Sequence, residues 1–418
     1  MSRKKVFDIT CSFHYYATIM SLRTKGLFLL IFLIFGCSRQ AMKHPQTQLE
    51  HPEEPLFINI QETDKQKTVR ELTDKISKII EQLPLKIKIG QMIMSYPPNY
   101  DLVKKYQIGG IILNQNFIKD SISARTMISN YNKQSLIPLF FAIDQEGGKV
   151  NRLKHIAGYE KTPSAKELGN SFSQKDIIEY GYRTAVTMRK LGINMNLAPS
   201  LDLSKDEKAL MYKQERSLGG EATLVKEKAE ALIDGYKSGG ILVFAKHYPG
   251  YSDVKINSDV TVAHFNLPAI QMLKNFNIFA SLAHKIDGIM MSSVIYEDFD
   301  TLPALYSKSI IELIRVSNSN ILVMTDDLYA PALRMLDKEN LSMITTRAFA
   351  AGNDILLIMW DAKVPILIEA INATLKTNPE LKTQLNQSVT RILLAKEKVY
   401  PGLTEALYKQ WAKHIYNP

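Results

Sequence analysis

Eight short, almost wholly apolar runs recur from residue 89 onward, and this recurrence limits what the chain can fold into more than any other feature. They are IGQMIMSY (89–96), GGIILN (109–114), LFFAID (139–144), INMNLAP (193–199), ILVFAK (241–246), GIMMSS (288–293), ILVMTD (321–326) and DILLIM (354–359). A strand hidden on both faces reads as a continuous apolar run, whereas a strand with one wet face alternates. Longer amphipathic stretches separate most of the runs: SARTMISNYNKQ before the third, KDIIEYGYRTAVTMRKLG before the fourth, TLVKEKAEALIDGYKSGG before the fifth and SIIELIRVSNS before the seventh. Several close on Gly or Asn just ahead of the next strand, where a helix C-cap belongs. The pattern is that of repeated β-α units. Eight units over about 330 residues predict a single closed (β/α)8 barrel, the TIM barrel of the α/β class, in preference to an open doubly wound sheet. No GxGxxG follows an early strand, which argues against a dinucleotide-binding sheet.

The segment ahead of the first run has a different character. An apolar stretch over 27–36 follows Arg23 and Lys25 and stops at Cys37. It is short for a membrane span and of the right length for the apolar region of a signal peptide. Its end, Ile34-Phe35-Gly36-Cys37, resembles a bacterial lipobox, which implies lipidation of Cys37, a membrane anchor and a place in the cell envelope outside the cytoplasm. Met20 opens a segment with ordinary signal-peptide proportions, so the start codon is Met1 or Met20. Residues 1–36 are therefore expected to be a signal peptide, 37–70 a polar flexible tether, and 71–418 the barrel domain. The only two cysteines, Cys11 and Cys37, both precede residue 38, so neither a disulfide framework nor a thiolate metal site is expected.

The formal net charge is +10. The basic residues are spread along the chain without interleaved aromatics, which predicts a solvated basic surface and no nucleic-acid partner. The eight His show no HxxxH spacing and no carboxylate cluster, so no metal is expected, and no phosphate-cradling loop suggests a cofactor.

In a closed barrel the reacting groups stand at the C-terminal ends of the strands. Those ends carry Asp144, Asn196, Lys246 with His247, Ser292 with Ser293, and Asp326. Four segments around them, DQEGGKVNR (144–152), QERSLGG (214–220), KHYPGYSD (246–253) and MTDDL (324–328), together resemble glycoside hydrolase family 3, in particular its single-domain β-N-acetylhexosaminidase branch. NLAPSLDLS (196–204), VIYEDFDTLPALYS (294–307) and AFAAGNDILL (348–357) support the resemblance, which runs from about residue 85 to 400. It implies a carbohydrate substrate and a retaining reaction through an aspartyl glycosyl-enzyme, with Asp326 as nucleophile and Asp327 as its neighbouring cap. It further implies that Asp144, Arg152, Arg216, Lys246 and His247 bind the sugar at the non-reducing end. Lys246 is hard to explain by packing, because lysine is seldom buried without a partner. The two-domain members carry a C-terminal sandwich domain, for which the residues after 400 leave no room, so a monomeric single barrel is expected.

The chain departs from the family pattern at the proton donor. The single-domain branch follows a KHFPGHG element with a DSH triplet whose His protonates the leaving group. Here the chain reads KHYPGYSDVKINSDVTVAHFNLP, with Tyr251-Ser252 in place of the HG of the turn. Counting forward from Lys246 puts Asp259 at the His position and Asn257 at the Asp position; counting backward from Leu267-Pro268 puts His264 there. Asp259 is the preferred reading and His264 the alternative, since either a carboxyl or an imidazole can serve as a general acid. Ser293 stands where many members have a His. The expected activity is exo-hydrolysis of terminal β-linked N-acetylhexosamine from cell-wall fragments or related glycans. The competing expectations are a β-glucosidase or phosphorylase specificity, or a catalytically silent envelope-binding barrel.

Overall fold

The computed structural model describes residues 64–411, Leu267 aside. The expected signal peptide, Cys37 and most of the expected tether lie outside the described residues. Eight parallel strands form one sheet in the order β7-β6-β5-β4-β3-β2-β1-β8: β1 (Ile93–Ser95), β2 (Gly110–Leu113), β3 (Phe140–Ile143), β4 (Met195–Asn196), β5 (Leu242–Tyr248), β6 (Gly288–Met291), β7 (Leu322–Met324) and β8 (Leu356–Ile358). Every residue of these strands is buried, as continuous apolar runs between helices require. The ring closes between β7 and β8 through a parallel bridge, Met324 to Ile355, with Thr325 N–H donating to Ile355 O (2.9 Å) and Leu328 N–H to Leu357 O (2.9 Å). The chain is thus a (β/α)8 barrel.

The first apolar run divides differently from expectation. Its opening residues end the helix Leu85–Gln91, and only Ile93–Ser95 is strand. Ile87, Ile89, Gly90 and Gln91 are all buried in that helix, so the apolar run serves a buried helix end and a buried strand in succession. The domain also begins earlier than residue 71, with the helix Asp64–Gln82.

A repeated device fixes the bases of the strands. Asn194, Asp287 and Asp354 stand just ahead of β4, β6 and β8. Each side-chain oxygen accepts the N–H of a residue on the preceding strand: Phe141 (2.9 Å), Val243 (3.0 Å) and Val323 (2.9 Å). The helix Leu381–Val399 crosses this floor and serves these bases in turn. Arg391 and Ser388 bind Asp354, Lys398 binds Asp287, and the buried Lys396 donates to Gln91 Oε1 (2.7 Å) over the Phe140 ring. The Tyr400 hydroxyl just beyond the helix donates to Leu139 O and accepts from Asn194. The helix Asp64–Gln82 packs on this floor helix and on Leu403–Trp411, with Lys75 bonded to Glu405 (2.7 Å). The floor is thereby plugged, and the open end is the rim formed by the C-terminal ends of the strands.

Candidate active site

Asp144 follows β3 directly, and the chain then turns back through Gly147 and Gly148. Both glycines have positive φ, +96° and +53°, and a Cβ on Gly147 would stand 2.1 Å from the carbonyl oxygen of Pro163. No other residue fits that turn. The reversal leaves Glu146 pointing inward and brings Arg152 back over the strand end.

Lys246, on β5, enters the same space from across the barrel. Its ammonium donates to Asp144 Oδ1 and sits equally close to Glu146 Oε1, 2.6 Å in each case. Burial by itself would lower the lysine, but the carboxylates of Asp144 and Glu146 outweigh it and hold its pKa above the usual value. Arg216, from the segment after β4, grips Glu146 with two parallel bonds of 2.8 and 2.9 Å. Burial alone would raise Glu146; Arg216 and Lys246 together keep it well below the ordinary carboxylate range. A guanidinium can only donate, so the approach of Arg216 Nη2 to His247 Nε2 (3.3 Å) makes that nitrogen an acceptor. The His247 proton then lies on Nδ1, donated to Asp202 Oδ2 at 2.7 Å. Asp202 also accepts from Ser200 Oγ (2.8 Å) and from Tyr251 N–H (2.7 Å). Arg152 completes the wall, bonded to Gln115 (3.1 Å) and 3.9 Å from Asp144.

Asp144, Glu146, Arg152, Arg216, Lys246, His247, Tyr251, Asn257, Asp259 and Asp326 line one cavity of about 160 Å³. Asp326, at the end of β7, accepts the N–H of Asp327 (2.8 Å). Its pKa is pushed up to about 8, first by burial and then by the Asp259 carboxylate. Asp327 acts as a tie: its Oδ1 accepts Tyr329 N–H (3.1 Å) and Met359 N–H (2.9 Å), fixing the turn after β7 to the end of β8. The cavity therefore combines a cationic shelf with paired acceptors and two carboxyls, Asp326 and Asp259, with Asp326 feeling both Asp259 and Lys246.

The structure brings seven of the residues singled out in the sequence to this cavity: Asp144, Arg152, Arg216, Lys246, His247, Asp259 and Asp326. It does not bring His264 there. Ala263 and Phe265 are buried, so the alternation of an extended segment turns His264 outward, where Nδ1 meets Glu297 at 2.7 Å. Ser293 is buried, and among the described residues its hydroxyl has no partner. Glu146, Asp202 and Tyr251 were not singled out, although all three lie inside or beside the motifs. An acidic residue two positions after Asp144, and another six after Asn196, were the available signals. Among the described residues no cluster of His, Cys, Asp and Glu could hold a metal, and no helix is long and apolar enough to cross a membrane.

Comparison with known proteins bears on this arrangement. Residues 84–395 match the Glycosyl hydrolase family 3 N terminal domain. A beta-hexosaminidase of Actinobacillus succinogenes is 28% identical over 268 residues, covering 62% of this chain and 75% of that protein. Beta-hexosaminidase LpqI of Mycobacterium tuberculosis is 25% identical over 315 residues, covering 71% and 77%. Among solved structures, a family 3 β-N-acetylglucosaminidase from Paenibacillus sp. str. FPU-7 superposes with a TM-score of 0.71 at 25% identity, covering 76% of this chain and 63% of that one. The M. tuberculosis LpqI structure gives 0.70 at 23%, covering 77% and 96%, and supports the fold.

Proposed function

From the premise that this chain belongs to glycosyl hydrolase family 3 and is a glycoside hydrolase, we propose that it removes terminal β-linked N-acetylhexosamine with retention of configuration. The observation that carries this reading is that Asp326 and Asp259 line one cavity together with the shelf built on Lys246. Two carboxyls flanking one glycosidic bond can act as nucleophile and as acid and base. An Asp326 oxygen attacks C1, the bond from C1 to the leaving oxygen breaks, and Asp259 gives that oxygen its proton. Water then attacks C1 from the face that the leaving group vacated, opposite Asp326; its proton passes to Asp259, and Asp326 leaves as a carboxylate. Asp144, Arg152, Arg216, Lys246 and His247 hold the hydroxyls of the sugar. Most of the network is paired before substrate arrives, Arg152 Nε excepted, so a sugar lacking a matching hydroxyl would leave buried groups unpaired.

The names of the relatives support an N-acetylhexosamine at this shelf, and the small cavity supports exo attack on one terminal sugar. Cell-wall fragments as the natural source, a lipid on Cys37, an envelope location and a monomeric state are parts of the same proposal, drawn from the sequence.

The test is release of aglycone from an aryl β-N-acetylglucosaminide, with the anomer of the first product read by NMR. Retention in the parent and loss of roughly 10⁴-fold or more in Asp326→Ala are expected. An inverted first product, or an active Asp326→Ala, overturns the assignment. Labelled-lipid incorporation that survives Cys37→Ser would remove the anchor.

A further inference from the structure

The turn after β5 contains one residue that the chemistry above leaves unused. We propose that Tyr251 is a positioning residue that holds Asp259 over the cavity by way of Ser258, an inference that rests on the reading of Asp259 as proton donor.

Tyr251 is itself fixed from below. It is 3% exposed, its N–H donates to Asp202, and its ring stands edge-on to His247 at 4.9 Å between centroids. Its hydroxyl is hydrogen-bonded to Ser258 Oγ. Ser258 is wholly buried, yet Ile256 and Val260 on either side of it are 47% and 59% exposed. The serine is thus the inward anchor of an otherwise solvent-facing stretch, and Asp259 is the next residue. Two further bonds hold the aspartate's backbone: its N–H donates to Asn257 Oδ1 (3.0 Å), and its carbonyl accepts from Ala332 N–H (3.3 Å) in the segment after β7 that also carries Asp326.

Without the phenol, the segment 255–261 would keep only its shallow attachments, and each productive approach of the carboxyl would cost conformational entropy. Burial, followed by the Asp259 and Asp326 carboxylates, raises the phenol far above its usual value, so it stays protonated over any working pH. The tether is accordingly independent of pH and is made before substrate binds. It joins the two places where the sequence departs from the family pattern, the Tyr251-Ser252 turn and the Asn257-Ser258-Asp259 triplet.

The experiment compares parent, Tyr251→Phe, Ser258→Ala, the double variant and Asp259→Asn on aryl β-N-acetylglucosaminides with good and poor leaving groups. Proton donation matters only for the poor ones. Tyr251→Phe should lower kcat/KM about 10- to 100-fold on poor leaving groups, leave it within about twofold on a dinitrophenyl glycoside, and leave KM little changed. Ser258→Ala should do the same, and the double variant should be no worse than either single one. Equal losses on both substrate types, or additive losses in the double variant, overturn the proposal. A leaving-group-dependent loss in Asp259→Asn without one in Tyr251→Phe sinks the tether alone; no such loss in Asp259→Asn sinks the donor assignment. Hydrogen exchange supplies a readout independent of turnover. The amides of 257–261 should exchange faster in Tyr251→Phe than in the parent, and unchanged exchange rules the tether out.

Discussion

Asp326 shows how far a single residue can be pulled from its solution behaviour. Burial and then the Asp259 carboxylate lift it to about 8, so the nucleophile ionises on the alkaline side of neutrality. On a dinitrophenyl glycoside, which needs no proton donor, kcat/KM should therefore rise with pH up to about 8 as Asp326 becomes a carboxylate. In Asp259→Asn the carboxylate that lifts Asp326 is gone, so its pKa should drop. The rising limb of kcat/KM on that glycoside should then move to lower pH; a limb that stays near pH 8 contradicts the contribution of Asp259. The same shift has a cost in stability. A carboxyl whose pKa is raised by folding binds more protons folded than unfolded between about pH 4 and 8, so stability falls as pH rises through that window. Asp326→Asn, besides being inactive, should melt at a higher temperature than the parent at pH 8 by several degrees, with the gap closing toward pH 4. Thermal melts at both pH values decide this.

At the scale of elements, the joint between β7 and β8 deserves a direct test because it both closes the barrel and places Asp326. Asp354 at the base of β8 accepts from Val323 N–H, Ser388 Oγ, Arg315 (2.8 Å) and Arg391 (3.1 Å), and it is fully buried. Asp354→Ala would leave two guanidinium groups without their shared counter-charge and one strand N–H unpaired. The expected cost is about 3–5 kcal/mol in denaturant unfolding. A cost under about 1 kcal/mol would mean that the seam is held elsewhere. The element boundaries also show where periodicity fails as a guide. The run at 89–96 is apolar throughout because both the end of one helix and the strand after it are buried, and burial alone does not say which geometry the backbone takes. The other seven runs contain a strand and no helix, being too short for a buried helix and bounded by Gly or polar stops.

The whole molecule divides its labour between two ends. The floor is closed by Leu381–Val399 and the helices around it, and the rim at the other end carries the cavity. Residues 62–418 form one compact unit, and the helix Asp64–Gln82 is built into it through Ile76, Ile79 and Ile80. A protein starting at Glu62 should therefore keep the parent's melting temperature and its kcat/KM on a soluble aryl glycoside within about twofold; under the proposed anchor at Cys37 it should also be absent from the membrane fraction. A start beyond Leu83 should lower stability by several kcal/mol, because those isoleucines leave a trough on the floor helix. Retention of full stability after that cut would show that the helix is dispensable.

The linear order of residues determined which segments become strands, that they lie parallel in a ring, and which polar side chains reach the rim. These are consequences of local burial patterns and of short motifs whose residues sit next to one another in the chain. Tertiary structure alone decided that Asp259 lines the cavity and His264 does not. The two differ by a few positions along one loop, and the pairing of that loop with Tyr251, Ile295 and Ala332 determines which one borders the cavity. It likewise decided that Glu146 and Asp202 stand behind Lys246, Arg216 and His247, since a buried cation requires a counter-charge but its position in the sequence does not name the partner. Pattern along a chain records which face is hidden; which distant groups then meet depends on closing the barrel.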